Sequence, residues 1–229
     1  MTGPRWRDRA SPNHGPRRGV PAVDMLVLHY TGMPDAAVAL DRLCDPDAQV
    51  SAHYLVEEDG VIWRLVPEDR RAWHAGQSQW AGDTDINSRS IGIELVNPGH
   101  GPDYRPFPES QMAALETLCH GILARHPIPS RHVLGHSDVA PDRKLDPGEL
   151  FDWRRLAGAG VGLWSQAWDL SPPSAPELDA LMRRFGYADA GPASVAAFQR
   201  HFRPNSVTGV ADGETWARLI DLVKQAGLG

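Results

Sequence analysis

The sequence predicts an α/β domain, with a mixed central β-sheet flanked by helices, followed by a second, small three-helix domain. Three observations predict it. Short apolar runs alternate with helix-periodic segments through residues 20–168, a Pro-rich stretch interrupts the pattern at 169–176, and residues 177–229 carry only helix-like stripes. Strands interleaved with helices bury best as a sheet covered by helices on its faces. At 229 residues the chain can fill one medium core and one small one.

Residues 23–30 (V-D-M-L-V-L-H-Y) form a nearly continuous apolar run, expected of a strand buried on both faces. T-G-M-P-D at 31–35 breaks it, and Ala36, Leu40 and Leu43 follow at helical spacing until Asp45-Pro46. Residues 51–56 and 61–66, joined through E-E-D-G, read as a β-hairpin. The strand I-G-I-E-L-V at 91–96 has period two, so Ile91, Ile93 and Leu95 share one face and Gly92, Glu94 and Val96 the other. Met112, Leu115, Leu118, Cys119 and Ile122 stripe a helix over 108–126, with Pro108 suited to its first turn. Residues 131–136 read as a short final strand, followed by a loop rich in Pro and Asp. Beyond the 169–176 linker, Leu178/Leu181/Met182/Phe185, Val195/Phe198/Phe202 and Trp216/Leu219/Ile220/Val223 mark three helices, punctuated by Gly186, Gly209 and Asp212-Gly213.

Composition excludes several classes. With 41% hydrophobic and 23% charged residues the chain is an ordinary globular protein. A net charge of −6 without a basic stripe argues against nucleic acid as a partner. No run is long and apolar enough to span a bilayer, and a monomer is expected. Residues 1–19 read as a flexible arm whose first 18 residues hold no apolar stretch of the signal-peptide kind. The cytoplasm is therefore the expected location, with a periplasmic or outer-membrane-associated site as the alternative if a leader is missing. Cys44 and Cys119 form no C-x-x-C and are expected as small core fillers.

The densest chemistry lies in G-H-S-D-V-A-P-D-R-K-L-D-P-G at 135–148. A His at a strand end and an Asp beyond a short loop can converge on one cation, and His29, closing the 23–30 strand, is the candidate third donor. Imidazole nitrogen with carboxylate oxygen suits Zn²⁺, which in catalytic sites takes three protein ligands and leaves a fourth position for water. Spacing alone leaves this open: a lone strand-end His is usually structural, and an Asp before Pro-Gly is usually a turn former.

Five blocks in order sharpen the choice: H-Y-T at 29–31, S-A-H-Y-L-V at 51–56, W-H-A-G at 73–76, N-S-R-S-I-G-I-E at 87–94, and the 135–148 stretch. Over residues 20–165 they resemble the zinc N-acetylmuramoyl-L-alanine amidases related to phage amidases and peptidoglycan-recognition proteins. The resemblance implies a mixed sheet flanked by helices, zinc as cofactor, and peptidoglycan or (anhydro)muropeptides as substrate in cell-wall recycling or turnover. It implies His29, His136 and Asp146 as zinc ligands, with Asp where some relatives carry Cys. It implies Glu94 as the catalytic acid–base of the bacterial branch, and Lys144 as a cation beside the third ligand that stabilises the oxyanion. Trp73, His74 and Asn87 are candidate substrate-binding residues, although a packed Trp73 and a backbone-satisfied His74 explain the sequence equally well. His53, inside a strand, reads as structural.

Residues 178–227 resemble the three-helix peptidoglycan-binding domain, which predicts a tethered module whose removal near Pro172 leaves a folded amidase. The rival to an enzyme is a non-catalytic peptidoglycan receptor on the same fold. That branch would be marked by loss of a ligand, and all three are present. A zinc protease acting on proteins lacks its H-E-x-x-H here.

Overall fold

The computed structural model describes residues 4–19, 22–168, 171 and 174–229. Among the described residues the main sheet has six strands in the order β1 (Arg5–Asp8), β5 (Val61–Arg64), β4 (Tyr54–Val56), β7 (Ser90–Leu95), β3 (Met25–Tyr30), β8 (Val133–Gly135). Only β4 and β5 pair antiparallel, as the expected hairpin; the β1/β5, β4/β7, β7/β3 and β3/β8 pairs are parallel. The fold is thus the mixed α/β class expected.

Alternation along the central strands divides two cores. Leu26, Leu28, Ile91, Ile93 and Leu95 point to one face, where α3 (Glu109–Arg125) and α5 (Trp153–Gly158) cover them through Met112, Leu115, Leu118, Ile122 and Leu156. Cys119 is wholly buried in this layer, whereas Cys44 is only half-buried and its thiol reaches the Arg9 carbonyl at 3.7 Å. On the opposite face the cover is split. Helix α1 (Ala36–Cys44) packs Ala39, Leu40 and Leu43 over Leu55 and Val96. Met25, Val27 and Leu134, toward the β3/β8 side, are buried instead with the C-terminal helices. The gap between these two covers, at the C-terminal ends of β3 and β7, is where the donors meet.

Three expectations are corrected. Of the expected arm over 1–19, the described residues 4–19 are not loose: β1 is an edge strand of the main sheet, and β2 (His14–Pro16) pairs antiparallel with β6 (Arg70–Ala72). Arg17 fastens it further, donating to the carbonyls of Glu68, Asn87, Ser88 and Ser90 at 2.8–3.2 Å. Main-chain pairing needs no apolar side chain, so hydrophobic periodicity could not reveal it. His136 does not end a strand but opens α4 (His136–Val139), because Gly135 serves as an N-cap whose N–H donates to Asp138. The third correction concerns the linker. Residues 169, 170, 172 and 173 lie outside the described residues, and α6 (Ala175–Phe185) begins two residues inside the expected linker, behind Ser174 as cap.

Nor is the helical part a separate core. Leu178, Met182, Phe185, Tyr187, Phe198 and Phe202, from α6, the loop after it and α7 (Pro192–Phe202), share one buried cluster with Met25, Val27, Trp80 and Leu134. Helix α8 (Gly213–Gln225) completes it through Leu219, Leu222 and Val223. Trp80 is wholly buried, with its ring centroid 5.0 Å from Tyr187 and 6.0 Å from Phe185. Gly186, at φ +145°, lets the backbone lie against that indole, and its carbonyl accepts from Ala81 N–H at 2.8 Å.

Deleting residues 174–229 should therefore destabilise what remains. Re-exposing Trp80 and Met25 alone costs about 3–6 kcal/mol. At roughly 2–4 °C per kcal/mol the melting temperature should fall by about 10 °C or more, with uptake of a hydrophobic dye. Calorimetry of the shortened and full chains checks this, and equal melting would show the two parts to be independent.

Candidate active site

Parallel pairing of β3 with β7 sets His29 directly opposite Glu94, both on the split face. Strand β8 on the other side of β3 leads into α4, which brings in His136, and the loop after α4 returns Asp146. The site thus lies beyond the carboxyl ends of parallel strands, where side chains from distant segments can converge. His29, His136 and Asp146 are buried, and their donor atoms form one cluster. The Nδ1 atoms of the two imidazoles are 2.9 Å apart, and each is 3.0 Å from Asp146 Oδ2.

The outer partners of the two rings decide where their protons are. The single hydroxyl hydrogen of Ser90 goes to the Ile86 carbonyl at 2.7 Å, so its oxygen accepts from His74 Nε2–H at 3.1 Å. His74 Nδ1 is then bare and accepts from His29 Nε2–H at 3.0 Å. That leaves His29 Nδ1 with its lone pair turned inward. His136 Nε2 lies 3.0 Å from the Ala75 carbonyl, which can only accept, and with its hydrogen placed there Nδ1 is bare. Arg143, which donates to the carbonyls of Ala75 and Gln77, backs that side.

Two bare nitrogens and a carboxylate oxygen therefore face one another with no proton to share. A cation relieves that repulsion, and an N, N, O set with imidazole donors suits Zn²⁺. Burial, helped by His136, pushes the His29 imidazole down to about 4, so its lone pair is free at neutral pH. His74 is likewise pushed well down, by burial and then by the His29 ring.

A cleft of about 310 Å³ opens over these donors. Tyr30, Met33, Leu43 and Val50 wall it, with Trp73, Glu94 and Lys144 also lining it. Glu94 Oε2 is buried without a hydrogen-bond partner among the described residues. Burial, then the Asp146 charge, pushes its carboxyl well up, with Lys144 opposing. Lys144 is half-buried, and its ammonium has no hydrogen bond or ion pair among the described residues.

The residues expected at the substrate separate. Half-buried Trp73 lines the cleft. His74 reaches the cleft wall, yet both its nitrogens are taken by His29 and Ser90, so it holds a donor in place. Asn87 is buried behind the cleft, not in it: its Oδ1 accepts from the N–H groups of His74 and Ala75 at 3.1 and 2.8 Å. The correction has a plain cause, since a carboxamide on the helical turn before β7 can hold two successive backbone N–H groups as readily as it can meet a ligand. His53 is wholly buried, accepting from Gly92 N–H at 2.9 Å with Nε2 3.1 Å from the Arg70 carbonyl, a structural role. Gly92 itself is required: a Cβ there would meet the His74 ring at 2.5 Å. The sequence did not disclose the Ser90–His74–His29 chain. Its only trace was a Gly two residues before Glu94 on the same face.

Comparison with known proteins points the same way. Residues 19–149 match the N-acetylmuramoyl-L-alanine amidase family and residues 178–219 a peptidoglycan binding domain. The chain is 40% identical over 236 residues to N-acetylmuramoyl-L-alanine amidase AmiD of Escherichia coli K12, spanning 90% of this chain and 84% of that one. It is 36% identical over 163 residues to the 1,6-anhydro-N-acetylmuramyl-L-alanine amidase AmpD of the same strain, or 64% of this chain and 87% of that one. The solved complex of E. coli AmiD with its substrate anhydro-N-acetylmuramic acid-L-Ala-D-gamma-Glu-L-Lys superposes with a TM-score of 0.82 at 38% identity, covering 93% of both chains. Pseudomonas aeruginosa AmpDh3, in complex with anhydromuramic pentapeptide, superposes at 0.79 with 36% identity over 95% of each.

The ring chain makes a prediction. His74→Phe keeps a ring against Gly92 but removes the acceptor that fixes the His29 tautomer. Affinity for a divalent cation should fall about 10–100-fold, as for other outer partners of ligating histidines. Competition against a chromogenic chelator measures it, and unchanged affinity would dismiss the tautomer lock.

Proposed function

The chain belongs to the N-acetylmuramoyl-L-alanine amidase family, and from that premise we propose that its amidase chemistry runs on zinc held by His29, His136 and Asp146. The protein hydrolyses the amide between the lactyl group of muramic acid and the L-alanine of the stem peptide, in cell-wall recycling or turnover. What supports zinc is the convergence of three buried donor atoms, two imidazole nitrogens and one carboxylate oxygen, within about 3 Å of one another. Bound there, zinc would polarise the scissile carbonyl and bring the pKa of water to about 7.

The remaining work falls to this chain's own groups. Glu94, held by register across from His29, takes the proton of the attacking water on its unpartnered carboxylate and returns it to the leaving alanine nitrogen. An upward-pushed carboxyl suits that exchange, because it holds a proton between the two transfers and releases it. The unpaired ammonium of Lys144 faces the cleft where negative charge builds on the carbonyl oxygen. Trp73, Met33 and Val50 give the substrate an apolar wall and exclude water around the reacting amide.

We take soluble anhydro-muropeptides as the preferred substrate class, supported by the substrates in the AmiD and AmpDh3 complexes. A cytoplasmic site of action on such fragments is part of the same proposal. Cell fractionation tests it, and recovery only from the periplasm overturns it.

Product analysis checks the zinc chemistry. Incubation with an anhydro-muropeptide should yield, by mass spectrometry, the free sugar and a peptide beginning at L-alanine; chelation should abolish this and zinc restore it. Full activity after verified metal removal would end the zinc proposal. Glu94→Gln keeps shape but cannot take the proton, so kcat should fall on the order of 10²–10⁴. Its zinc content should stay at the wild-type level, and loss of metal would make Glu94 a ligand instead of a base.

A further inference from the structure

Helix α7 belongs to the part that resembles a wall-binding domain, yet it touches both segments that carry the second and third donors. Asp138, two residues past His136, has a fully buried carboxylate with three donors on it. Gly135 N–H reaches Oδ2 at 2.7 Å, His201 Nδ1–H reaches the same oxygen at 2.7 Å, and Tyr187 O–H reaches Oδ1 at 2.6 Å. Two of the three come from the helical part. The His201 ring is itself immobilised, stacked on Trp153 at 3.7 Å and on Phe202 at 3.8 Å. Beside it on α7, Arg200 Nε lies 3.4 Å from Glu149, three residues past Asp146. His100 Nε2 reaches the same Glu149 oxygen at 3.0 Å.

We propose that α7 is a positioning element of the amidase site: His201, with Tyr187, locks the start of α4 through Asp138 and so aims His136, while Arg200 steadies the loop that presents Asp146. The inference rests on the reading of His29, His136 and Asp146 as the metal site. The geometry argues for a built device. A buried carboxylate is costly unless every lone pair is met, and here the helix that bears the ligand and the helical part meet it together. Without His201 and Tyr187, the single Gly135 N–H remains on Asp138. A ligand whose backbone can shift loses the preorganisation a three-donor site needs, whatever becomes of wall binding.

The test uses the full-length chain with His201→Leu, His201→Asn, Tyr187→Phe and Arg200→Met. Each variant is assayed for zinc affinity by chelator competition, for melting with and without zinc, and for kcat and KM on a soluble anhydro-muropeptide, which needs no wall attachment. Positioning predicts that His201→Leu loses about tenfold in zinc affinity. Its kcat should fall with KM little changed, and the gap between zinc-loaded and zinc-free melting should narrow. His201→Asn, which restores an N–H near the Nδ1 position, should recover most of both. Tyr187→Phe and Arg200→Met should show smaller losses of the same kind. If His201→Leu does not fold, Tyr187→Phe, which removes one oxygen, decides between the same outcomes. A folded variant with wild-type zinc affinity and kcat overturns the proposal. A role in stability alone would lower both melting curves equally and leave affinity intact, which also overturns it. A wild-type chain that takes up no zinc removes the metal reading itself, an outcome distinct from a wild type that binds zinc and variants that bind it equally well.

Discussion

Two imidazole nitrogens and a carboxylate oxygen held within about 3 Å, each presenting an electron pair to the others, set the demand that the surrounding structure meets. Such a cluster repels itself unless a cation sits in it, and it keeps its shape only if the rings cannot turn or exchange tautomers. The Ser90–His74–His29 chain and the Ala75 carbonyl behind His136 supply that rigidity from outside the cleft. Gly92 makes the first of these possible by leaving room on β7 for a ring. Burial keeps the His29 and His74 imidazoles neutral at neutral pH, so His29 can offer its lone pair to a cation without first releasing a proton.

Sheet architecture explains why these groups coincide with the proposed acid–base. A parallel pair with His29 across from Glu94 puts a donor and a carboxylate on neighbouring strands at a strand-to-strand spacing of about 4.8 Å, on one face. The opposite residues of both strands are apolar and anchor the sheet on α3. The chemistry and the core are therefore two faces of the same strands, and the register that packs Ile93 is the register that aims Glu94. A one-residue slip would bury the carboxylate among leucines and turn an isoleucine to the cleft.

The C-terminal helices alter how the two-domain pattern should be understood. Their likeness to a peptidoglycan binding domain speaks to attachment, but their cluster with Met25, Val27, Trp80 and Leu134 makes them also the cover of the sheet's second face. Once that face is shared, polar groups from both parts must satisfy one another inside it, and Asp138 with His201 and Tyr187 is the result. A part that resembles a wall-binding domain thus also covers the sheet that carries the donors.

Much of this was legible in the residues. Continuous apolar runs named the buried strands, period two placed Glu94 away from Ile91, Ile93 and Leu95, and the blocks around His29, Glu94 and residues 135–148 pointed to amide hydrolysis at zinc. These are local or ordered-motif signals, carried by the side chains themselves. The edge strand Arg5–Asp8, the inward turn of Asn87, and the His74 and His201 contacts were not legible, because they depend on partners 12 to 63 residues away meeting through backbone groups or single hydrogen bonds. Such partners leave no periodic trace. What the sequence determined by itself was the inventory of candidate donors, the candidate acid–base and the faces on which they stand. Only the tertiary structure decided which nitrogen of each ring faces the cluster and which helix packs against the loops that carry the donors, since a proton's position and a loop's restraint are set by whatever lies opposite in space.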